Sequence, residues 1–332
     1  MISRTVIPAS ASTSAWLIVL AYLTVYVIWG STYLAIRIGI ETMPPSLLFA
    51  ERFLLAGALN FALYRTALAW RGQAPVAASL VQVRNAALIG CLLLVGGTGL
   101  VGWAERTVDS HLAALIISST PLWVVAWDQW LVRRRSATPS QLAGMALGVA
   151  GILVLTGTAG ESSGSSAAGL VLLLAAACCW SGASSVSHAV DLPRDVLLTS
   201  AIQMIAGGLA FVMIGVVLGE ITPASVSSVG ARSWWAMWYL AIFGSTVAFT
   251  AFAWLLTVEP AHRVASYALV NPVVAVILGA WLGQETIGPR VWIALPIIGL
   301  GLALHLFTDR TRTAAPQVTA PPPGIPAERG SL

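Results

Sequence analysis

The feature that most constrains this chain is a succession of long apolar blocks separated by short polar connectors. A helix needs about 20 apolar residues to cross a bilayer, and in lipid every backbone polar group must be satisfied within the segment. An outer-membrane barrel requires alternating segments of about 10 residues, and these blocks do not alternate. Only 9% of the 332 residues are charged, against about 25% in soluble domains. Too little charge remains to cover a water-facing surface of this size. The expected class is therefore an all-α integral membrane protein. Ten spans are expected, at 16–36, 46–66, 84–103, 110–131, 139–157, 167–188, 196–218, 233–257, 264–282 and 290–308. The block that begins at residue 16 is too long for the apolar core of a signal peptide and is taken as the first span.

All 17 basic residues are arginine. With the N-terminus in the cytoplasm, Arg4, Arg65, Arg71, Arg84, Arg133, Arg134, Arg135, Arg194, Arg263, Arg310, Arg312 and Arg329 lie inside. Arg37, Arg106, Arg232 and Arg290 lie outside, and Arg52 falls within the second span. The positive-inside bias thus predicts that both termini are cytoplasmic. Arginines scattered over connectors form no nucleic-acid patch. Cys91, Cys178 and Cys179 are odd in number and lack metal-ligand spacing, so neither a disulfide frame nor a metal site is expected. Residues 309–332 are rich in proline and read as a disordered cytoplasmic tail.

Displacing the chain against itself by 151 residues superposes Trp29 on Trp180, Gly57 on Gly208, Trp103 on Trp254, Pro121 on Pro272 and Gly148 on Gly299, without a gap. The expected organisation is a segment 1–15, a five-helix repeat 16–157, an outer connector 158–166, a second five-helix repeat 167–308, and the tail. Five spans are an odd number, so the second repeat enters the membrane inverted, an arrangement found in secondary transporters with midplane sites. Pro121 and Pro272 fall near the middle of the fourth and ninth spans. A proline inside a helix costs about 3 kcal/mol and frees the carbonyl four residues back, here that of Ile117 and of Ala268. Ser118, Ser119, Thr120 and Asn271 are placed to compensate. The two prolines are expected to act as hinges beside a wet cavity.

Helical spacing selects the candidate cavity residues. Tyr26, Trp29 and Tyr33 share a face of the first span, Ser119 and Trp123 one of the fourth, and Trp180 and Ser184 one of the sixth. Thr246 and Trp254 belong to the eighth span, Tyr267 and Asn271 to the ninth. An aromatic wall with a few hydroxyls suits a small zwitterion bearing an apolar side chain. Glu51 and Arg52 are ionisable groups within the second span. Neighbours in sequence do not face each other on a helix, so separate partners are expected, in gating, in ion pairing or on the substrate. Asp128, deep on the cytoplasmic side of the fourth span, is a candidate to pair with an inner arginine, and His188 reads as an interfacial histidine.

The stretches "VIWGSTYLAIRIGIETMPPSLLFAERFLLAG" (27–57), "AALIISSTPLW" (113–123), "MALGVAGILVL" (145–155), "FGSTVAFTAFAWLL" (243–256) and "SYALVNPVVAVILGAWLGQE" (266–285) resemble EamA-type members of the drug/metabolite transporter superfamily. The resemblance covers residues 16–308. It implies a bacterial inner-membrane exporter with ten helices in a basket, spans 1–4 and 6–9 lining a central cavity and spans 5 and 10 outside. It further implies alternating-access export of amino acids, neutral or aromatic, and related small metabolites. An organic-cation exporter of the same superfamily is the alternative, and it would call for a cavity carboxylate that span one lacks. A membrane enzyme would call for converging nucleophile, base or metal ligands, whereas His111, His188, His262 and His305 fall at span ends. No cofactor is expected. The expected partners are a small-molecule substrate and membrane lipid, with proton coupling and the choice between monomer and homodimer left open.

Overall fold

The computed structural model describes residues 15–75, 77–127, 139–156, 166–187, 189–259, 264 and 266–308. The expected N-terminal segment, outer connector and tail fall almost wholly outside the described residues, as do Asp128, Arg133, Arg134, Arg135 and His188.

The described residues form helices and no strand. In chain order these are α1 (Ala15–Gly39), α2 (Pro45–Trp70), α3 (Leu80–Ala104), α4 (Ser110–Ile117), α5 (Thr120–Trp127), α6 (Pro139–Thr156), α7 (Ala167–Ser187) and α8 (Val196–Val217). The short α9 (Pro223–Ser227) follows, then α10 (Ala231–Tyr239), α11 (Ala248–Val258), α12 (Tyr267–Trp281) and α13 (Pro289–Thr308). Six helical segments are long and apolar enough to cross a membrane: α1, α2, α3, α7, α8 and the run Ala231–Phe252. Starts are set locally. Pro45 opens α2, where its missing N–H costs nothing. Ser79 and Gln82 form a reciprocal capping box on α3, and Asp195 accepts from the N–H groups of Leu197 and Leu198 at α8.

Two segments depart from α-helical winding. Leu92–Gly99, inside α3, and Leu240–Val247, between α10 and α11, are π-helices. A shift of 151 residues carries the first onto 243–250, so the two overlap as repeat mates. π-Bulges inside α-helices are frequent at functional sites.

The packing obeys the repeat. α2 lies along α8, its own mate, and α6 along α13, its own mate. α1 packs on α12 and on the α10–α11 run. Its mate α7 packs on the α4–α5 pair and on α3. α3 packs on α8, as the Leu240–Val247 segment packs on α2. The glycines found by the sequence offset mark the seam. A Cβ on Gly57 would stand 2.7 Å from Ile205, and one on Gly208 would stand 2.8 Å from Leu54. Leu54 and Ile205 are themselves 151 residues apart, so the same contact is made twice around a pseudo-two-fold axis. Phe49, Phe53 and Phe211 stack within the main core beside this seam.

The two prolines have different fates. The fourth span breaks after Ile117 and restarts at Thr120, with Ser118 and Ser119 in the turn. Pro121 then occupies the first turn of α5, where proline is tolerated. Pro272 stays inside the continuous helix α12.

Candidate functional site

A cavity of about 140 Å³ lies where the two halves meet. Its walls come from α1 (Trp29, Thr32, Tyr33, Ile36), α2 (Arg52), α3 (Gly97, Thr98, Val101), the α4–α5 break, α7 (Ala176, Trp180) and α12 (Tyr267, Ala268, Asn271, Pro272). Among the described lining residues none comes from α6, α8 or α13.

The aromatic wall is built from α1, α11 and α12. The Trp29 ring lies 5.0 Å from Phe252 and 5.0 Å edge-on from Tyr267. Its indole N–H donates to the Gly244 carbonyl at 3.1 Å. Gly244 belongs to the second π segment. Thr246 of the same segment donates to Ala241, five residues back, at 3.0 Å. The first π segment carries Gly97 and Thr98 into the wall, and Gly97 lies so close to Trp180 that a Cβ would stand 2.9 Å from its ring.

The break supplies the polar side. Thr120 donates its hydroxyl to the Ile117 carbonyl at 2.5 Å, the very carbonyl that Pro121 leaves free. Ser118 and Ser119 likewise donate to Leu115 and Ile116, at 2.6 Å each. These hydroxyls mend the helix. Ser118 and Thr120 also face the cavity, whereas Ser119 does not. Across the cavity, the Asn271 amide nitrogen is placed to donate to the backbone carbonyls of Tyr26, at 3.2 Å, and Tyr267, at 3.1 Å. It therefore ties α12 to α1 rather than satisfying Ala268.

Arg52 is the one charged residue among the described lining residues. It is buried, donates from Nε to the Ser245 hydroxyl at 2.9 Å, and lies 4.9 Å over the Phe53 ring. Its Nη1 has no hydrogen-bond partner. Glu51 faces outward and makes no ion pair with it.

Of the expected cavity residues, Trp29, Tyr33, Trp180, Tyr267 and Asn271 line the cavity, together with Pro272. Tyr26 bonds the Ser266 hydroxyl at 2.6 Å, and Ser184 donates to its own helix at Trp180. Trp254 packs with the cluster around Val25 and Leu255. Trp123 is half-buried, and with these three and Thr246 it lies outside the lining. Thr32, one of the small polar residues beside Trp29, lines the cavity as well, and Thr98 and Ala176 are lining residues that no sequence pattern marks.

Beyond the cavity opens a polar vestibule of about 950 Å³. It is lined by Arg37, Arg106, Arg232 and Arg290, the four arginines expected on one side, and by Glu41, Asp109, His111 and Glu285. Three pairs close this face across the two halves: Arg106–Glu220 at 2.8 Å, Arg232–Glu41 at 3.3 Å and His111–Glu285 at 2.6 Å. Only the last is deeply buried. Glu285 also accepts from the Ser110 and His111 backbone N–H groups at the start of α4. Burial opposes its ionisation, but the hydrogen bonds from His111 and Ser110 outweigh it and bring the carboxyl down to about 2. Glu220 is likewise held below the usual range: burial opposes ionisation, and hydrogen bonds from Ser46 with the Arg106 charge overcome it.

The chain matches the EamA-like transporter family over residues 16–157 and again over 167–307. It is 38% identical over 287 residues to the "Uncharacterized inner membrane transporter YedA" of Escherichia coli (strain K12), covering 86% of this chain and 89% of the relative. A "Probable amino-acid metabolite efflux pump" of Salmonella typhimurium is 25% identical, covering 88% and 96%. A crystal structure at 21% identity shares the fold with a TM-score of 0.60, covering 90% of this chain and 99% of that one. Two family matches, extensive identity and a bundle of apolar helices agree: the chain belongs to the EamA-like transporter family, as a multi-pass transporter of the inner membrane.

Proposed function

We propose that this protein exports small carboxylate-bearing metabolites, chiefly neutral and aromatic amino acids, with Arg52 as the anchor of the carboxylate. The carrying observation is the partly unpartnered Arg52 guanidinium in an aromatic cavity. An arginine within a spanning helix is costly, up to about 2.5–3.5 kcal/mol on insertion scales for a position at the helix centre. Its contacts with Phe49 and Phe53 return about 0.5–2 kcal/mol each, and Ser245 accepts one hydrogen bond. Nη1 is enclosed without a partner, no ion pair is made by Arg52 among the described residues, and a carboxylate entering the cavity it lines meets its guanidinium through a charge-assisted bond. Trp29, Tyr33, Trp180 and Tyr267 then accept an apolar side chain. An organic cation meets the like charge of Arg52 and, among the described lining residues, no carboxylate, which weighs against the multidrug reading.

Ten spans, both termini in the cytoplasm and alternating access complete the proposal. On that topology the vestibule faces outward, and the three cross-half pairs hold it closed. The two repeats, 16–157 and 167–308, rock about the α2–α8 seam. The broken fourth span and the Pro272 helix serve as bending points. The "amino-acid metabolite efflux" name of the Salmonella typhimurium relative supports the same substrate class.

The test is counterflow in proteoliposomes with a panel of amino acids, their amides and organic cations. Arg52→Gln is expected to weaken half-saturation by carboxylate substrates by about ten- to a hundredfold, the equivalent of about 1.5–3 kcal/mol. Arg52→Lys is expected to fall between. Equal transport of an amino acid and its amide, or better transport of organic cations than of either, would sink the assignment.

A further inference from the structure

Between the cavity and the vestibule lies a septum, and at its centre is a carboxyl that nothing satisfies. Tyr33 lines the cavity, and Arg37, one turn further along α1, lines the vestibule. On α3, Val101 lines the cavity, and Arg106 and Asp109 beyond it line the vestibule. Glu105, one turn past Val101, sits between these levels and is fully buried. Both of its carboxyl oxygens lack a hydrogen-bond partner. Arg37 donates to the Glu105 backbone carbonyl, not to the carboxyl. The neighbouring residues Val101, Ala104 and Val108 belong, with Ile116, to a buried apolar cluster.

An ionised carboxylate without partners in such a place carries a large desolvation penalty, whereas the protonated acid does not carry that charge. We propose that Glu105 is a proton-binding site of the vestibule gate: the gate closes with a proton on the Glu105 carboxyl, and opening returns that proton to the vestibule. The step is a simple protonation. One proton from vestibule water adds to one carboxylate oxygen on closing and leaves from it on opening, with no other bond changed. The gate carries this proton whatever the cargo is.

The groups facing Glu105 are few. From α1 they are Tyr33 and Arg37, and from the loop after α12 Glu285; Asp109 and His111 belong to the same group through Glu285 and, for Asp109, Arg37. α7 and α8 carry no charged residue, and Arg52 of α2 lies on the cavity side. Burial pushes the Glu105 carboxyl well above the usual range, the nearby Glu285 charge adds to this, and Arg37 opposes it. Its value is thus raised in the closed gate relative to an open, hydrated one. The closed gate is favoured fully below the open-state value and loses that advantage as pH rises through the closed-state value. Glu285 runs the other way. Its support for closure is lost only as pH falls to about 2, so it stays ionised while Glu105 switches. Asp109 is raised by burial and by Glu285, against His111 and Arg37, and serves as the control.

The experiment uses the full chain in nanodiscs, with Cys91, Cys178 and Cys179 replaced and spin labels at the exposed Thr107 and Thr286. Interlabel distances are measured by pulsed electron resonance across neutral and mildly acidic and alkaline pH. A short distance is expected at low pH, and a longer one is expected to grow in as pH rises. The closed-to-open ratio should change by up to about tenfold per pH unit. Glu105→Gln is expected to hold the short distance throughout, and Asp109→Asn to leave the wild-type response in place. Infrared spectra give an independent reading: a protonated-carboxyl band at neutral pH that Glu105→Gln removes. Distances independent of pH in the wild type, a wild-type response in Glu105→Gln, its loss in Asp109→Asn, or absence of that band would each overturn the proposal.

Discussion

At the scale of single residues, the bundle depends on positions where one helix reaches the backbone of another. Gly90 of α3 is the tightest: a Cβ there would stand 2.5 Å from both the Cα and the carbonyl oxygen of Gln203 on α8. Backbone cannot turn aside as a side chain can, so the helices must separate. Gly90→Ala is expected to cost about 1–3 kcal/mol, read as a lower thermal midpoint in detergent, whereas Gly72→Ala in the α2–α3 connector meets no neighbour within 4 Å and is limited to its left-handed backbone strain. The sequence was informative about side chains with one dominant property. Trp29, Trp180, Tyr267 and Asn271 were placed by helical spacing, and they do line the cavity. It was uninformative about hydroxyls, because spacing cannot tell whether a serine faces a cavity or its own backbone. Ser119, Ser184 and Thr246 all bond the carbonyls of their own helices.

At the scale of elements, the loop after α12 makes a long-range cap. Gln284 adopts φ 52°, a left-handed conformation that turns the chain back. Glu285 is thereby placed on the start of α4, where the helix dipole and two N–H groups receive it. Glu285→Ala is expected to lower stability by about 1–3 kcal/mol near neutral pH. Because the folded value, about 2, lies below the ordinary carboxylate value, this contribution is present above the latter and fades as pH falls toward 2. Thermal midpoints of wild type and Glu285→Ala should therefore converge on acidification. A constant gap down to the acid limit would contradict the assignment. Neither this cap nor the burial of Glu105 could be read from the chain. Both acids sit at the ends of apolar blocks, where charge is ordinary, and only the folding back of the loop and the meeting of α1, α3 and α4 bury them. The π segments were equally hidden, although Gly96, Gly97 and Gly99 mark a place where winding can widen.

At the scale of the whole molecule, the 151-residue offset predicts which helices are mates, and the packing is symmetric under it: α2 lies on α8 and α6 on α13, while the contacts of α1 are repeated by those of α7. The vestibule face gives a direct test of rocking. The Thr42 and Ser233 hydroxyls, one from each half, lie 2.8 Å apart. A Thr42→Cys/Ser233→Cys pair in a background without the native cysteines should lock this face on oxidation. Transport in proteoliposomes is expected to stop and to recover with a reductant. Undiminished transport by the oxidised protein would rule out movement at this face. The pseudo-two-fold axis has one more consequence. Transferred by 151 residues, Glu105 becomes Leu256 and Glu285 becomes Arg134, while His111 becomes His262. The positions equivalent in sequence to the two acids of the gate thus carry no carboxylate. With the proton site on Glu105, acidity on one side of the membrane biases the cycle and acidity on the other does not. A body of two near-equal halves then behaves as a rectifier, whose direction is written in two substitutions between repeats.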